Sequence, residues 1–200
     1  MRNRFYMVNS IAVFCGSGDG FNDVYREAAW QLGEMLAEKE IGLVYGGAKI
    51  GLMGAVADGV LDKNGKVTGV IPSFLQTKEL VHESISELVL VENMHERKLK
   101  MHELSDAVIT LPGGWGTMDE LFEMLTWAQL GLHKKPIGLL NINGYYDSLK
   151  VLFNNMVLEG FLDECVNNIL LISESVEELL DMINNYEAPD LPVVISKQTT

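Results

Sequence analysis

The segment Leu111–Trp127, LPGGWGTMDELFEMLTW, sets Gly113, Gly114 and Gly116 directly ahead of a helical pattern carrying Thr117, Asp119 and Glu120. Glycines allow positive φ and close backbone approach, which larger side chains forbid. The helix behind them begins with amide N–H groups that lack an acceptor, and its dipole adds roughly half a positive charge there. That combination fits an anion, phosphate above all. Thr117 could cap the helix or donate its hydroxyl to a phosphate oxygen. The periodicity starts the helix near Thr117, which puts Asp119 and Glu120 in its first turn. A glycine-rich turn followed by an ordinary capping acid is the plainer reading.

Other chemistry-bearing residues are fewer. A second glycine turn, YGGAKIGLMG, holds Gly46, Gly47, Gly51 and Gly54, and could add N–H donors or simply pack a helix onto a sheet. CGSG, with Ser17, follows an earlier apolar run, but no GxSxG elbow surrounds that serine, so it does not read as a hydrolase nucleophile. Neither GxGxxG nor GxxxxGK[ST] occurs, and the missing Walker lysine argues against an NTPase. Arg97 and Lys98 lie in a helical stretch, ENMHERKLKMHELSD, where a cationic pair is ordinarily solvated. Glu79 follows the third apolar run and could approach the same crevice. His82, His95, His102 and His133 have no metal-ligand spacing, and nothing marks a lysine as a Schiff-base former.

The elements that must position these residues are legible from composition and pattern. Two hundred residues at 48% hydrophobic content suffice for one core and one domain. The expected boundaries are 1–186 for the domain and 187–200 for a frayed or surface tail. No stretch approaches 18 uninterrupted apolar residues, and the basic start runs straight into a glycine turn, as a first buried strand would. A cytoplasmic protein is expected. Cys15 and Cys165 are isolated, with core packing as their simplest role. Net charge is −13 with scattered cations, which excludes nucleic acid or an anionic membrane as natural partners. A small phosphorylated ligand needs only a few aimed N–H groups, so it stays open.

Continuous apolar runs alternate with helical patterns. The strands are NSIAVFCGS, IGLVYGG, KVTGVIP, SELVLVEN, DAVITLPGG, KPIGLLN and NNILLIS. Helices are expected over Phe21–Lys39, Gly51–Asn64, Asn93–Leu104, Thr117–Gly131, Tyr145–Gly160 and Ser173–Asn185, the last opening on a capping sequence, SESVEEL. The result is an α/β fold, a doubly wound, mostly parallel sheet flanked by helices. Its ligand crevice lies beyond the carboxyl ends of the strands, where the first, second, third and fifth runs all finish in candidate residues.

Taken together, MHERK, PGGWGTMDE, CGSGDGFNDVY, VYGGAKIGLMG and TWAQLGLHKKPIGLLN resemble the LONELY GUY (LOG) family, over roughly Ile11 to Ile172. Its members are cytokinin riboside 5′-monophosphate phosphoribohydrolases, many once labelled lysine decarboxylases. The resemblance implies a Rossmann-like fold, a homodimer or larger assembly with the site near a subunit interface, and hydrolysis of the N-glycosidic bond of a purine nucleoside 5′-monophosphate. It implies no cofactor and no metal. Arg97 and Glu120 take the catalytic positions of the family pattern. Substrate contacts fall on Ser17, Gly46, Gly47, Glu79, Lys98, Gly113, Gly114, Trp115, Gly116, Thr117, Met118, Asp119 and Thr126. Departures are small: Ala48 replaces a common glycine, SGDG replaces SSxG, and Asp119 replaces Glu. Under this reading the loop amides hold the phosphate. The helix start and Arg97 are expected to keep Glu120 ionised against the opposing effect of burial. A nucleotide-like cofactor carrier, a pyridoxal phosphate decarboxylase and a structural protein are the competing classes.

Overall fold

A computed structural model describes residues 8–76 and 81–189. Glu79 and most of the tail lie outside the described residues.

Seven strands form one sheet, all pairs parallel: β1 (Ser10–Phe14), β2 (Gly42–Tyr45), β3 (Val67–Pro72), β4 (Glu87–Val91), β5 (Ala107–Thr110), β6 (Ile137–Leu140) and β7 (Leu170–Ser173). Their order, β4-β3-β2-β1-β5-β6-β7, reverses direction between β1 and β5. Each expected run supplies one strand. The helices are α1 (Val24–Glu38), α2 (Gly51–Asp62), α3 (Met94–Glu103), α4 (Trp115–Gln129), α5 (Asp147–Leu158), α6 (Glu164–Asn167) and α7 (Val176–Asn184). The one-turn α6 has no counterpart in the sequence reading, because four residues are too few to show a helical period.

Residues of β1 alternate between two cores. Ile11, Val13 and, just past the strand, Cys15 pack with α1, α2 and α7, while Ala12 and Phe14 pack with α3 and α4. Crossovers between parallel strands are right-handed, so reversing direction along the sheet moves the connecting helices to the other face. The two stacks of helices therefore part over β1 and β5, leaving a crevice at the carboxyl ends of those strands.

Local signals fix the helices that reach this edge. Asn93 caps α3 by accepting from the Glu96 amide at 2.9 Å, and the Glu96 carboxylate accepts from the Glu92 amide at 2.7 Å. Ser175 caps α7 in the same manner, accepting from the Glu178 amide. Among the described residues, no helix is long and apolar enough to cross a membrane.

Candidate active site

Three glycine turns interlock at the crevice. The Gly16 amide donates to Pro112 O at 3.0 Å, tying the β1 turn to the β5 turn. A Cβ on Gly51 would lie 2.3 Å from the Ser17 backbone, so the β1 and β2 turns also touch directly. At Gly46 the missing side chain makes room for chemistry, since a Cβ there would lie 2.2 Å from a guanidinium nitrogen of Arg97. Gly46 is thus the roof over that cation.

Arg97 is held at both ends of its guanidinium. Its Nε donates to Val70 O of β3 at 3.1 Å, and its Nη1 stands 3.5 Å from Glu120 Oε1. Glu120 is buried, 8% exposed, on the inner face of α4. Burial lifts its carboxyl to about pKa 7, against the pull of Arg97 and with a further push from Asp119. This corrects the expectation that helix start and arginine would win. The reason is partly where α4 begins. Gly114 is its N-cap and Trp115 its first residue, so Asp119 and Glu120 fall in the second turn, beyond the strongest reach of the helix dipole. The dehydrating effect of the walls then dominates.

The amides remain where the glycines put them. The first intrahelical bond of α4 runs from Met118 N–H to Gly114 O, so the amides of Gly114, Trp115, Gly116 and Thr117 have no helical acceptor. No side chain caps this end. Thr117 is buried against Gly113, where a Cβ would come within 2.1 Å of the threonine hydroxyl oxygen. The cavity beside these amides has a volume of about 240 Å³.

Nine of the expected residues line that cavity: Ser17, Gly46, Arg97, Gly114, Trp115, Gly116, Thr117, Asp119 and Glu120. Others do not. Gly47 neighbours the wall, and its carbonyl accepts from the His82 amide. Gly113 sits beneath Thr117, and Met118 packs against the β-sheet core. Lys98 is neither solvated nor free to meet a ligand. It is 6% exposed and pairs with Asp119 and Glu123, each at 3.1 Å. Burial pulls its ammonium down, but the two carboxylates outweigh this and hold it above the usual lysine range. Thr126 lies elsewhere, lining an apolar groove of about 470 Å³ between α4, α5 and α6, and its hydroxyl donates to Phe122 O. That groove is roomier than the crevice, yet it brings no charged group to its walls, whereas Arg97, Asp119 and Glu120 line the smaller cavity.

Sequence reasoning missed part of the wall. Cys15, Met53, Met94 and Met101 line it, each inside a motif quoted above but not named there as a site residue. Burial, then the Glu120 charge, push the Cys15 thiol up, so it is a wall rather than a nucleophile. His95 is exposed, His82 pairs with Asp58, and His102 and His133 serve packing. His102 stacks near His133, ring centres 4.9 Å apart, and meets Trp127 edge-on. Burial and Lys135 push His102 down to about pKa 4, keeping it neutral. Among the described residues no three His, Cys, Asp or Glu side chains are grouped to hold a metal ion.

Sheet and crevice together define a Rossmann-like α/β protein whose site is built at the point where strand order reverses. Residues 53–183 match a family model described as "Possible lysine decarboxylase". A cytokinin riboside 5′-monophosphate phosphoribohydrolase of Arabidopsis thaliana is 46% identical, over 94% of this chain and 86% of its own. A second from the same plant is 45% identical, over 88% and 83%. The chain belongs to the LONELY GUY family, the group that also carries the lysine decarboxylase label. Among solved structures, a molybdenum cofactor binding protein of Rippkaea orientalis is similar, with TM-score 0.69 and 25% identity over 88% of this chain and 96% of that one.

The buried carboxyl makes a stability prediction. Its folded pKa is about 7, above the usual 4.5. The stability it contributes is complete below about pH 4.5 and is lost as pH rises through 7. Glu120→Gln, neutral throughout, should therefore be more stable than the wild type at pH 8, by up to about 3 kcal/mol, and melt at a higher temperature. Thermal melts across the range should show the gain vanishing below pH 4.5. An equal gain at both ends of the range would rule out a strained, ionised Glu120.

Proposed function

We propose that this protein hydrolyses the N-glycosidic bond of purine riboside 5′-monophosphates, AMP or its N6-substituted cytokinin relatives, releasing free base and ribose 5-phosphate. The observation that carries the reading is the conjunction in one crevice of free α4 amides with a buried Glu120 faced by Arg97. Relatives at about 46% identity over most of both chains, named for this reaction, support it.

The division of labour follows from charge. The 5′-phosphate rests on the amides of Gly114 to Thr117, which offer fixed donors and the positive end of α4. Anchoring it orients the anomeric carbon toward Glu120. Breaking the C1′–N bond develops positive charge on the ribose, as in glycoside hydrolysis. Ionised Glu120 stabilises that charge and takes a proton from the attacking water, whose oxygen bonds C1′ as the C1′–N bond breaks. The proton that water gave up then passes from Glu120 to the departed purine, restoring the carboxylate. A carboxyl titrating near neutrality suits this transfer, being basic enough to accept the proton and acidic enough to release it. Arg97, fixed by Val70 O, orients Glu120 and opposes its protonation. Lys98 neutralises Asp119 and Glu123, the two carboxylates that flank Glu120 along α4.

The decarboxylase label finds no support here, since no lysine is among the described residues lining the crevice. A cofactor carrier would bind without turnover.

Incubation with AMP, followed by chromatography, should give adenine and ribose 5-phosphate. Release should drop by orders of magnitude in Glu120→Ala and Arg97→Ala, and undiminished release would remove both residues from these roles. The value of kcat/KM should fall toward acid below about pH 7 as Glu120 protonates. A profile flat to pH 5 would exclude it as the base.

The chain also self-associates in this reading, as a dimer through the apolar groove of α4–α6. Phe161 lines this groove and stands 86% exposed, and Val151, Leu152 and Leu158 of α5, which forms one wall of it, are exposed too. Large exposed apolar side chains gathered in one region mark an interaction surface. Ultracentrifugation should find a dimer that Phe161→Glu converts to monomer. A wild-type monomer at micromolar concentration would refute the interface. Free Cys15 and Cys165 fit a cytoplasmic location.

A further inference from the structure

The segment Asn141–Asp147, NINGYYD, starts at the last residue of the final quoted motif, and Tyr145 and Tyr146 lie beyond all of those motifs, yet it reaches the anion cradle. After β6 the chain turns sharply through two left-handed residues, Asn143 at φ 52° and Gly144 at φ 68°. The buried Asn141 side chain locks that turn: its Oδ1 accepts from the Tyr146 amide at 2.7 Å, and its Nδ2 donates to Asp147 at 2.8 Å. Two consecutive tyrosines are thereby aimed at the β5 turn. The Tyr146 hydroxyl donates to Leu111 O and the Tyr145 hydroxyl to Gly113 O, both at 2.7 Å. The Tyr145 ring stands edge-on to Tyr146 and, on another side, to Tyr25 of α1, which limits its freedom to swing away.

The Gly113 carbonyl shares a planar, trans peptide unit with the Gly114 amide, so the two point in opposite directions. Fixing the oxygen fixes the N–H. Gly114 is the N-cap of α4, and its amide is one of those without a helical acceptor that border the cavity. With glycine on both sides of this peptide, rotation of the plane meets little steric resistance from the residues themselves. Something outside the loop must hold it.

We infer that Tyr145 is a positioning residue for phosphate: by holding Gly113 O from outside the crevice, its hydroxyl aims the Gly114 N–H at the bound anion. This rests on the phosphate location given under the hydrolase reading. It gives the tyrosine a specific role in binding one part of the substrate, distinct from supporting the fold.

Tyr145→Phe removes a single oxygen and keeps the ring against Tyr25. Dissociation constants for ribose 5-phosphate and for adenine, measured by calorimetry on wild type and variant, separate the two halves of the ligand. The variant should bind ribose 5-phosphate roughly five- to tenfold more weakly, the worth of one well-directed hydrogen bond, with adenine binding within twofold of wild type. On AMP, KM should rise with kcat little changed. Equal weakening of both ligands would make Tyr145 merely structural, and unchanged ribose 5-phosphate binding, or none in the wild type, would overturn the proposal. Binding is read without turnover. A protein that shows the binding contrast but releases no adenine from AMP would lose the hydrolase reading and keep this one.

Discussion

Everything at the crevice is arranged around one costly object, a carboxyl group taken out of water on the inner face of α4. A charge in such a place must be neutralised or compensated. Glu120 is partly both, since dehydration lifts its proton affinity to near neutrality while Arg97 restrains the lift. The arginine can do so only because Gly46 has no side chain and because Val70 offers a carbonyl to its Nε. Strand β3, the β2 turn and helices α3 and α4 are thereby committed to one geometry by a single ion pair.

The same logic explains Lys98. Two carboxylates flank Glu120 along α4, and left bare they would drive its proton affinity higher still. One lysine beneath the helix meets both. Its stem is buried and its ammonium spans α3 and α4, so the neighbours Arg97 and Lys98 divide the work. One faces the buried carboxyl of Glu120, and the other answers the charges around it.

Most of the architecture was legible because its signals are local. Continuous apolar runs marked all seven strands, and Ser175 caps α7 within the capping sequence SESVEEL. What escaped depends on three-dimensional neighbours. Periodicity started α4 at Thr117, whereas the helix begins at Trp115, because glycine and tryptophan carry no periodic signal. That displacement of half a turn, joined to burial that no single sequence reveals, reversed the expected direction of the Glu120 pKa shift. Lys98 read as a solvated cation since its partners Asp119 and Glu123 are remote in sequence. Thr126 was grouped with the crevice through resemblance alone, yet on one chain it lines the groove of α4–α6.

Because Glu120 rides on the second turn of the helix whose first amides border the cavity, the interval between the two is a ruler cut in rigid material. Helical rise is about 1.5 Å per residue, so that spacing is set by backbone hydrogen bonds and is indifferent to loop motion. In the proposed reaction a ligand would be measured from its anionic end to its weakest bond. One with a longer charged tail would present the wrong atom to the carboxyl, however well its base fitted.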